Sequence, residues 1–248
     1  MEESICLEGF AAVKGGLTGG FRVVEEILLD PQRDDRGVTW LRKEAERRGV
    51  PVRNTPREEL DRIAGDRGHG GVLALVGKRM DRSPEQILSG SSGSTPFIVM
   101  LDGIEDPYNL GFAIRALWAA GVDGLVLRPR DWSNATSVIA RSSAGASELM
   151  PTTLVNSPDE AATIFRDLGL TIAVTSKDKE SRSLYEADLT LPLFLLIGGE
   201  RRGVRRSFLD QADLLLEIPY GRDFRQSLGA ASAASIIGFE VMRQRGSS

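Results

Sequence analysis

The sequence predicts an α/β protein: a larger part built on a parallel sheet with helices on both faces, preceded by a smaller α/β unit. Two observations carry this. From Phe97 onward, apolar runs short enough to be buried strands, such as FIVML and LFLLI, alternate with stretches at helical spacing, as parallel strands joined by helical crossovers require. Upstream, the stretch 78–95 contains SPEQILSGSSGST without an aromatic residue and reads as a linker. The expected division is 1–77, a linker at 78–95, and 96–248.

In the smaller part, FRVVEEILLD is expected to form a helix from near Phe21, and TWLRKEAERRG a second that ends at Gly49. GVPV enters a short strand, REELDRIAG forms a short helix with Gly65 after it, and GGVLALVG (Gly70–Gly77) is an apolar strand. Arg42, Lys43, Arg47, Arg48 and Arg53 make this half rich in cations, with Glu44, Glu46, Glu58 and Glu59 among them. Mixed charge of this kind fits either a solvated helix face or a phosphate-contacting surface.

In the larger part Phe97–Leu101 is a strand, and Asn109 caps a helix that runs to about Ala120. Val122–Leu127 is the next strand, a short helix lies around Ser137, and Pro158–Leu168 is a longer one. Strands follow at Thr171–Thr175 and Leu193–Ile197, then a short helix after Gly203, a strand at Leu214–Ile218 and a final helix. Small residues fill Gly229–Ser235, so neighbours can approach that helix closely for about two turns. Leu228, Ala231, Ser235, Phe239 and Met242 form one of its faces at helical spacing.

Composition narrows the function. A chain of 248 residues with 41% hydrophobic content supplies real cores. No apolar run reaches the roughly 18 residues of a membrane span, and the acidic start MEESICLEGF lacks the features of a secretory signal. With a single cysteine, Cys6, no internal disulfide forms, and a cytoplasmic protein is expected. A net charge of -4 argues against coating nucleic acid by bulk charge, so any such binding uses local patches. The one histidine, His69, is flanked by glycines and reads as a turn residue. A Ser-His-Asp triad and a histidine-rich metal site are thereby excluded from the larger part, and no metal is expected. Lysine is nearly absent there as well, with only Lys177 and Lys179.

Ligands in open parallel sheets collect beyond the carboxyl ends of the strands. Three loops qualify: DGIEDPYNLGFAIR, GGERRGV after Ile197, and PYGRDFRQSL after Ile218. The first has only Gly103 before Asn109, so a dinucleotide-binding glycine fingerprint is not present, and there is no GxxxxGK[ST] phosphate loop.

DPYNLGFAIRALWAAGVDGLVL, RSSAGASELMP, LFLLIGGERRGV and EIPYGRDFRQSL stand in an order and spacing that resemble the SpoU/TrmH-type RNA 2'-O-ribose methyltransferases of the SPOUT superfamily. GVPV followed by HGGVLALVG is similar to the small, L30e-like substrate-binding domain of that family's ribosomal-RNA branch. The resemblance implies a carboxy-terminal trefoil knot, an S-adenosylmethionine pocket in that knot, and a homodimer acting on RNA, ribosomal before transfer RNA. It carries over Asn109, Arg115, Glu200 and Ser227 as catalytic-site residues. For the methyl donor it implies Thr175, Leu196, Gly198, Gly203, Ile218, Ser227 and Leu228.

A ribose hydroxyl that attacks a sulfonium methyl must lose its proton, and alignment of oxygen, carbon and sulfur supplies much of the acceleration. Arg115 is expected to meet that hydroxyl or a neighbouring phosphate. A guanidinium normally stays charged, so stabilising the developing alkoxide or holding a phosphate stands beside general-base action. Glu200 would orient Arg115 or contact a partner subunit. One departure stands out: the family commonly reads SLNVS where this chain has SLGAA, so Gly229 replaces an asparagine and Ala231 a serine. That substitution motivates a rival reading, an RNA-binding protein that keeps the fold without turnover. A methyltransferase for transfer RNA, and one for a small molecule or protein, complete the range of functions the sequence admits.

Overall fold

A computed structural model describes residues 5–64, 68–91, 93, 95–177, 179–199 and 204–246. Its contacts divide the chain into two compact units, Met1–Met80 with Asp131–Leu149, and Asp81–Arg130 with Met150–Ser248.

The first unit begins with β1 (Ile5–Glu8), α1 (Phe10–Gly19), β2 (Val24–Leu29), α2 (Arg36–Arg48), β3 (Val52–Asn54), α3 (Arg57–Ala64) and β4 (Val72–Val76). Its four strands form a mixed sheet in the order β1-β4-β2-β3, antiparallel except where β2 meets β3. The helix expected from Phe21 is instead the strand β2. Ile27, Leu28 and Leu29 are buried in succession, as in a strand covered on both faces. Ile27 and Leu29 join Leu17 of α1 and Leu41 of α2, while Leu28 meets Leu60 of α3 on the other side. The sequence of α2 behaves as expected: Asp35 accepts from the Gly37 and Val38 amides to start it, and Gly49, at φ 68, ends it.

The sequence does not announce α1, because FAAVKGGLTG looks like turn composition. Its glycines serve a close approach instead. A Cβ on Gly15 would come within 2.5 Å of the Gly145 carbonyl oxygen, and one on Gly19 would run into the Glu148 carbonyl. Glu148 itself forms a buried ion pair with Arg22 at 2.7 Å. His69 sits in a turn, accepting from the Gly71 amide at Nδ1 and donating from Nε2 to Asp61 at 2.8 Å.

The second unit holds α4 (Pro84–Ser89), β5 (Phe97–Leu101), α5 (Pro107–Ala119) and β6 (Gly124–Leu127). The chain then contributes α6 (Thr136–Ser142) to the first unit and resumes with β7 (Thr152–Leu154), α7 (Pro158–Asp167), β8 (Thr171–Thr175), β9 (Arg182–Ser183), β10 (Leu193–Ile197), α8 (Arg206–Leu209), β11 (Leu214–Glu217) and α9 (Ala230–Gly246). Seven parallel strands run in the order β7-β6-β5-β10-β8-β11-β9. Every residue of β5 and β10 is buried, as cover on both faces demands. Ile98, Met100, Phe194 and Leu196 pack against Ile87 of α4, Phe165 of α7 and Phe208 of α8.

Two local expectations need correction, and the α9 face read from the sequence lies away from that helix's buried side. Within 78–95, read as linker, Ser83 and Gln86 make a capping box and Pro84 starts a helix whose Ile87 enters the core. The cap of α5 is Asp106, whose carboxylate accepts from the Asn109 amide at 2.8 Å, so Asn109 lies inside the first turn. On α9 the buried side is Ala230, Ala234, Ile237 and Val241, while Phe239 and Met242 are each 43% exposed. Its small residues do the packing: a Cβ on Gly238 would lie 3.1 Å from Ala120 Cβ. Among the described residues no helix is long and apolar enough to cross a membrane.

Candidate active site

Parallel strands place the carboxyl ends of β5, β8, β10 and β11 along one edge of the sheet, and a cavity of about 240 Å³ opens there. The end of β8 and the residues after it contribute Thr175, Ser176 and Lys177, the loop after β10 contributes Gly198 and Gly199, and the segment after β11 supplies Ile218, Tyr220, Ser227 and Leu228. Ala230 and Ala233 of α9 line its remaining side, where their small side chains leave room. A smaller pocket of about 140 Å³ holds Gly103, Glu105, Asp106 and Asn109, and shares Gly199 and Ala230 with the first. Glycine is required at this seam, because a Cβ on Gly199 would stand 2.6 Å from the Gly103 carbonyl oxygen.

The segment after β11 is held by two side chains. Tyr220 donates its hydroxyl to the Gln226 carbonyl at 3.3 Å and accepts from the Leu228 amide at 3.1 Å. Lys177 donates to the Phe224 carbonyl at 3.2 Å and lies 3.9 Å from the centroid of the Tyr220 ring. Neither residue stands out in the sequence as a site residue; the scarcity of lysine in this half is the available signal.

Thr175, Gly198, Ile218, Ser227 and Leu228 thus come together at the larger cavity, and Asn109 at the smaller. Leu196 sits differently: its side chain is in the core, and its carbonyl accepts the Thr175 hydroxyl at 3.4 Å. Glu200 and Gly203 lie outside the described residues. Arg115 lines neither pocket. It is exposed on the outward side of α5, the side that also carries Tyr108, Phe112 and Trp118 at 52%, 50% and 40% exposure.

Residues 96–239 match the SpoU rRNA Methylase family, and residues 6–80 match the family described as RNA 2'-O ribose methyltransferase substrate binding. The 23S rRNA (guanosine-2'-O-)-methyltransferase RlmB of Ralstonia nicotianae is 32% identical over 247 residues, 99% of this chain and 98% of the relative. The enzyme of the same name from Shewanella oneidensis is 34% identical over 227 residues, 90% of each. The crystal structure of the SpoU methyltransferase AviRb from Streptomyces viridochromogenes in complex with the cofactor AdoMet is 26% identical, with a TM-score of 0.75 over 98% of this chain and 91% of that one. The chain belongs to the SpoU rRNA methylase family, with an RNA 2'-O-ribose methyltransferase substrate-binding domain ahead of the methylase domain.

Proposed function

We propose that this protein uses S-adenosylmethionine to methylate the 2'-hydroxyl of a guanosine ribose in 23S ribosomal RNA. The observation that carries the reading is near full-length identity of about a third to relatives named for that reaction. A working site in ribosomal RNA also accords with a cytoplasmic location.

The cavity suits the donor on its own terms. Ile197, Leu216 and Ile218 offer apolar walls for an adenine, Gly198 and Gly199 leave backbone groups within reach, and Lys177 brings a charge. Bound there, S-adenosylmethionine supplies a methyl group on a positively charged sulfur. Thr175, Gly198, Ile218, Ser227 and Leu228 would hold it, with Leu196 contributing its backbone beneath Thr175. Asn109 borders the adjoining pocket, where it would orient a ribose. On the family pattern Arg115, which lines neither pocket, would serve the attacking oxygen, stabilising negative charge as the proton passes to solvent water, or gripping the adjacent phosphate. As the new carbon–oxygen bond forms, the carbon–sulfur bond breaks and the sulfur becomes neutral. Glu200 and Gly203 keep their proposed roles on the family pattern alone.

Two further features belong to this reading. A trefoil knot is supported by strand order: β10 enters between β5 and β8, both earlier in the chain, before the chain turns back through the segment after β11. A homodimer is supported by unpartnered apolar side chains on packed neighbours, Phe112 and Trp118 of α5 with Phe239 and Met242 of α9. Burying that face would draw Arg115 into the interface.

The test is transfer of a tritiated methyl group to RNA extracted from cells lacking the protein. Label should appear in 23S RNA within an alkali-resistant dinucleotide containing guanosine. Label in transfer RNA would redirect the substrate, and donor binding without transfer to any RNA would favour the non-catalytic reading that Gly229 motivates.

A further inference from the structure

We infer that Lys177 binds the carboxylate at the amino-acid end of the methyl donor and so fixes which way round the donor lies; this rests on the donor-site reading of the cavity. Among the described residues that line the cavity, Lys177 is the only one with a charged side chain. Its ammonium meets neutral groups, the Phe224 carbonyl and the face of the Tyr220 ring. Among the described residues it makes no ion pair. An ammonium has three N–H donors, so the carbonyl leaves capacity for a second acceptor, and a carboxylate gives the stronger, charge-assisted bond.

The ligand's own charges then decide the orientation. S-adenosylmethionine carries a sulfonium, an α-ammonium and one carboxylate, beside a neutral adenosine. Only the carboxylate is attracted to Lys177; the two cations are repelled by it, and the neutral adenosine gains no charge–charge attraction there. The site is also prepared for this. Tyr220 bridges Gln226 and Leu228 by its own hydroxyl, so that stretch of the wall keeps its shape while Lys177 reads the ligand. From residue 95 to the end the only lysines are Lys177 and Lys179, and of the two Lys177 lines the cavity.

Titration calorimetry on the full chain with S-adenosylhomocysteine and with 5'-methylthioadenosine tests this, because the second compound keeps the adenosine and sulfur but has no amino-acid end. Lys177→Met should weaken S-adenosylhomocysteine about tenfold, the size of one charge-assisted hydrogen bond, and leave 5'-methylthioadenosine within about twofold. Lys177→Arg should recover most of the loss. Unchanged affinity for S-adenosylhomocysteine would overturn the inference, as would an equal loss for both compounds, which means that Lys177 only ties down the segment after β11. If the unaltered protein binds neither compound, the donor-site reading itself falls.

Discussion

The two units bury different things. Of the eleven buried polar or charged residues among those described, eight lie in the first unit, Glu8, His69 and Glu148 included. The larger second unit has three, Thr152, Thr153 and Glu240, and its two central strands are apolar throughout. A buried polar group is stable only with its partner in place, so the first unit depends on particular pairs. The second draws on bulk apolar burial, which is insensitive to loop sequence, and its strand-end loops are free to carry chemistry.

The sharpest break in this comparison comes from the exposed side of α5. Arg115→Ala touches no core and, on the role proposed for its guanidinium, should cost methyl transfer on the order of a hundredfold to a thousandfold, with donor affinity unchanged by calorimetry. Near-normal turnover would remove Arg115 from the mechanism. A matched pair comes next. Glu148→Gln leaves Arg22, whose side chain is 6% exposed, without its counter-charge, and should lose about 3 kcal/mol in urea unfolding. Glu240→Gln in the second unit should lose under about 1 kcal/mol, because its partner Arg243 is 61% exposed. Equal losses would erase the distinction. The hydrogen bond from Arg243, the largest influence, holds the Glu240 carboxyl below the usual carboxylate range. Its contribution is therefore present above about pH 4.3 and lost as acid protonates the group.

The smallest effect concerns reactivity. Burial first, then the negative charge of Glu8, push the Cys6 thiol up to about 12. The folded thiol stays protonated at pH 8, so alkylation by iodoacetamide should be at least about tenfold slower than in urea. A raised folded value also means that the stabilisation is complete below the ordinary thiol range and is lost as pH climbs from about 8.5 toward 12. Rapid labelling of the folded chain would show that Cys6 is not enclosed as described.

The second unit is the more legible of the two for the same reason. Runs such as FIVML and LFLLI are strands under any packing, and the segments between them have ordinary helix signals. In the first unit, VEEILL has a helix-like mixture of charge and leucine, and only the covering helices on both sides make it a strand. The glycines of α1 read as a turn because their purpose, the approach of residues 145–148, lies far along the chain. At the site, Gly198, Ile218 and Leu228 follow from motif position, and the structure brings them to one cavity. Lys177 and Tyr220 are silent in the sequence because their roles depend on a fold that brings residue 177 to residue 224.

The polypeptide crosses between the two units three times, after residues 80, 130 and 149. A chimera that grafts another RNA reader onto this methylase by cutting near residue 80 would therefore strand 131–149, exposing Ile139 and Ala140, which are now covered. The exchangeable module is a composite of two chain segments. Because Gly15 and Gly19 of α1 admit the backbone of residues 145 and 148, the two stretches have to be exchanged as one piece.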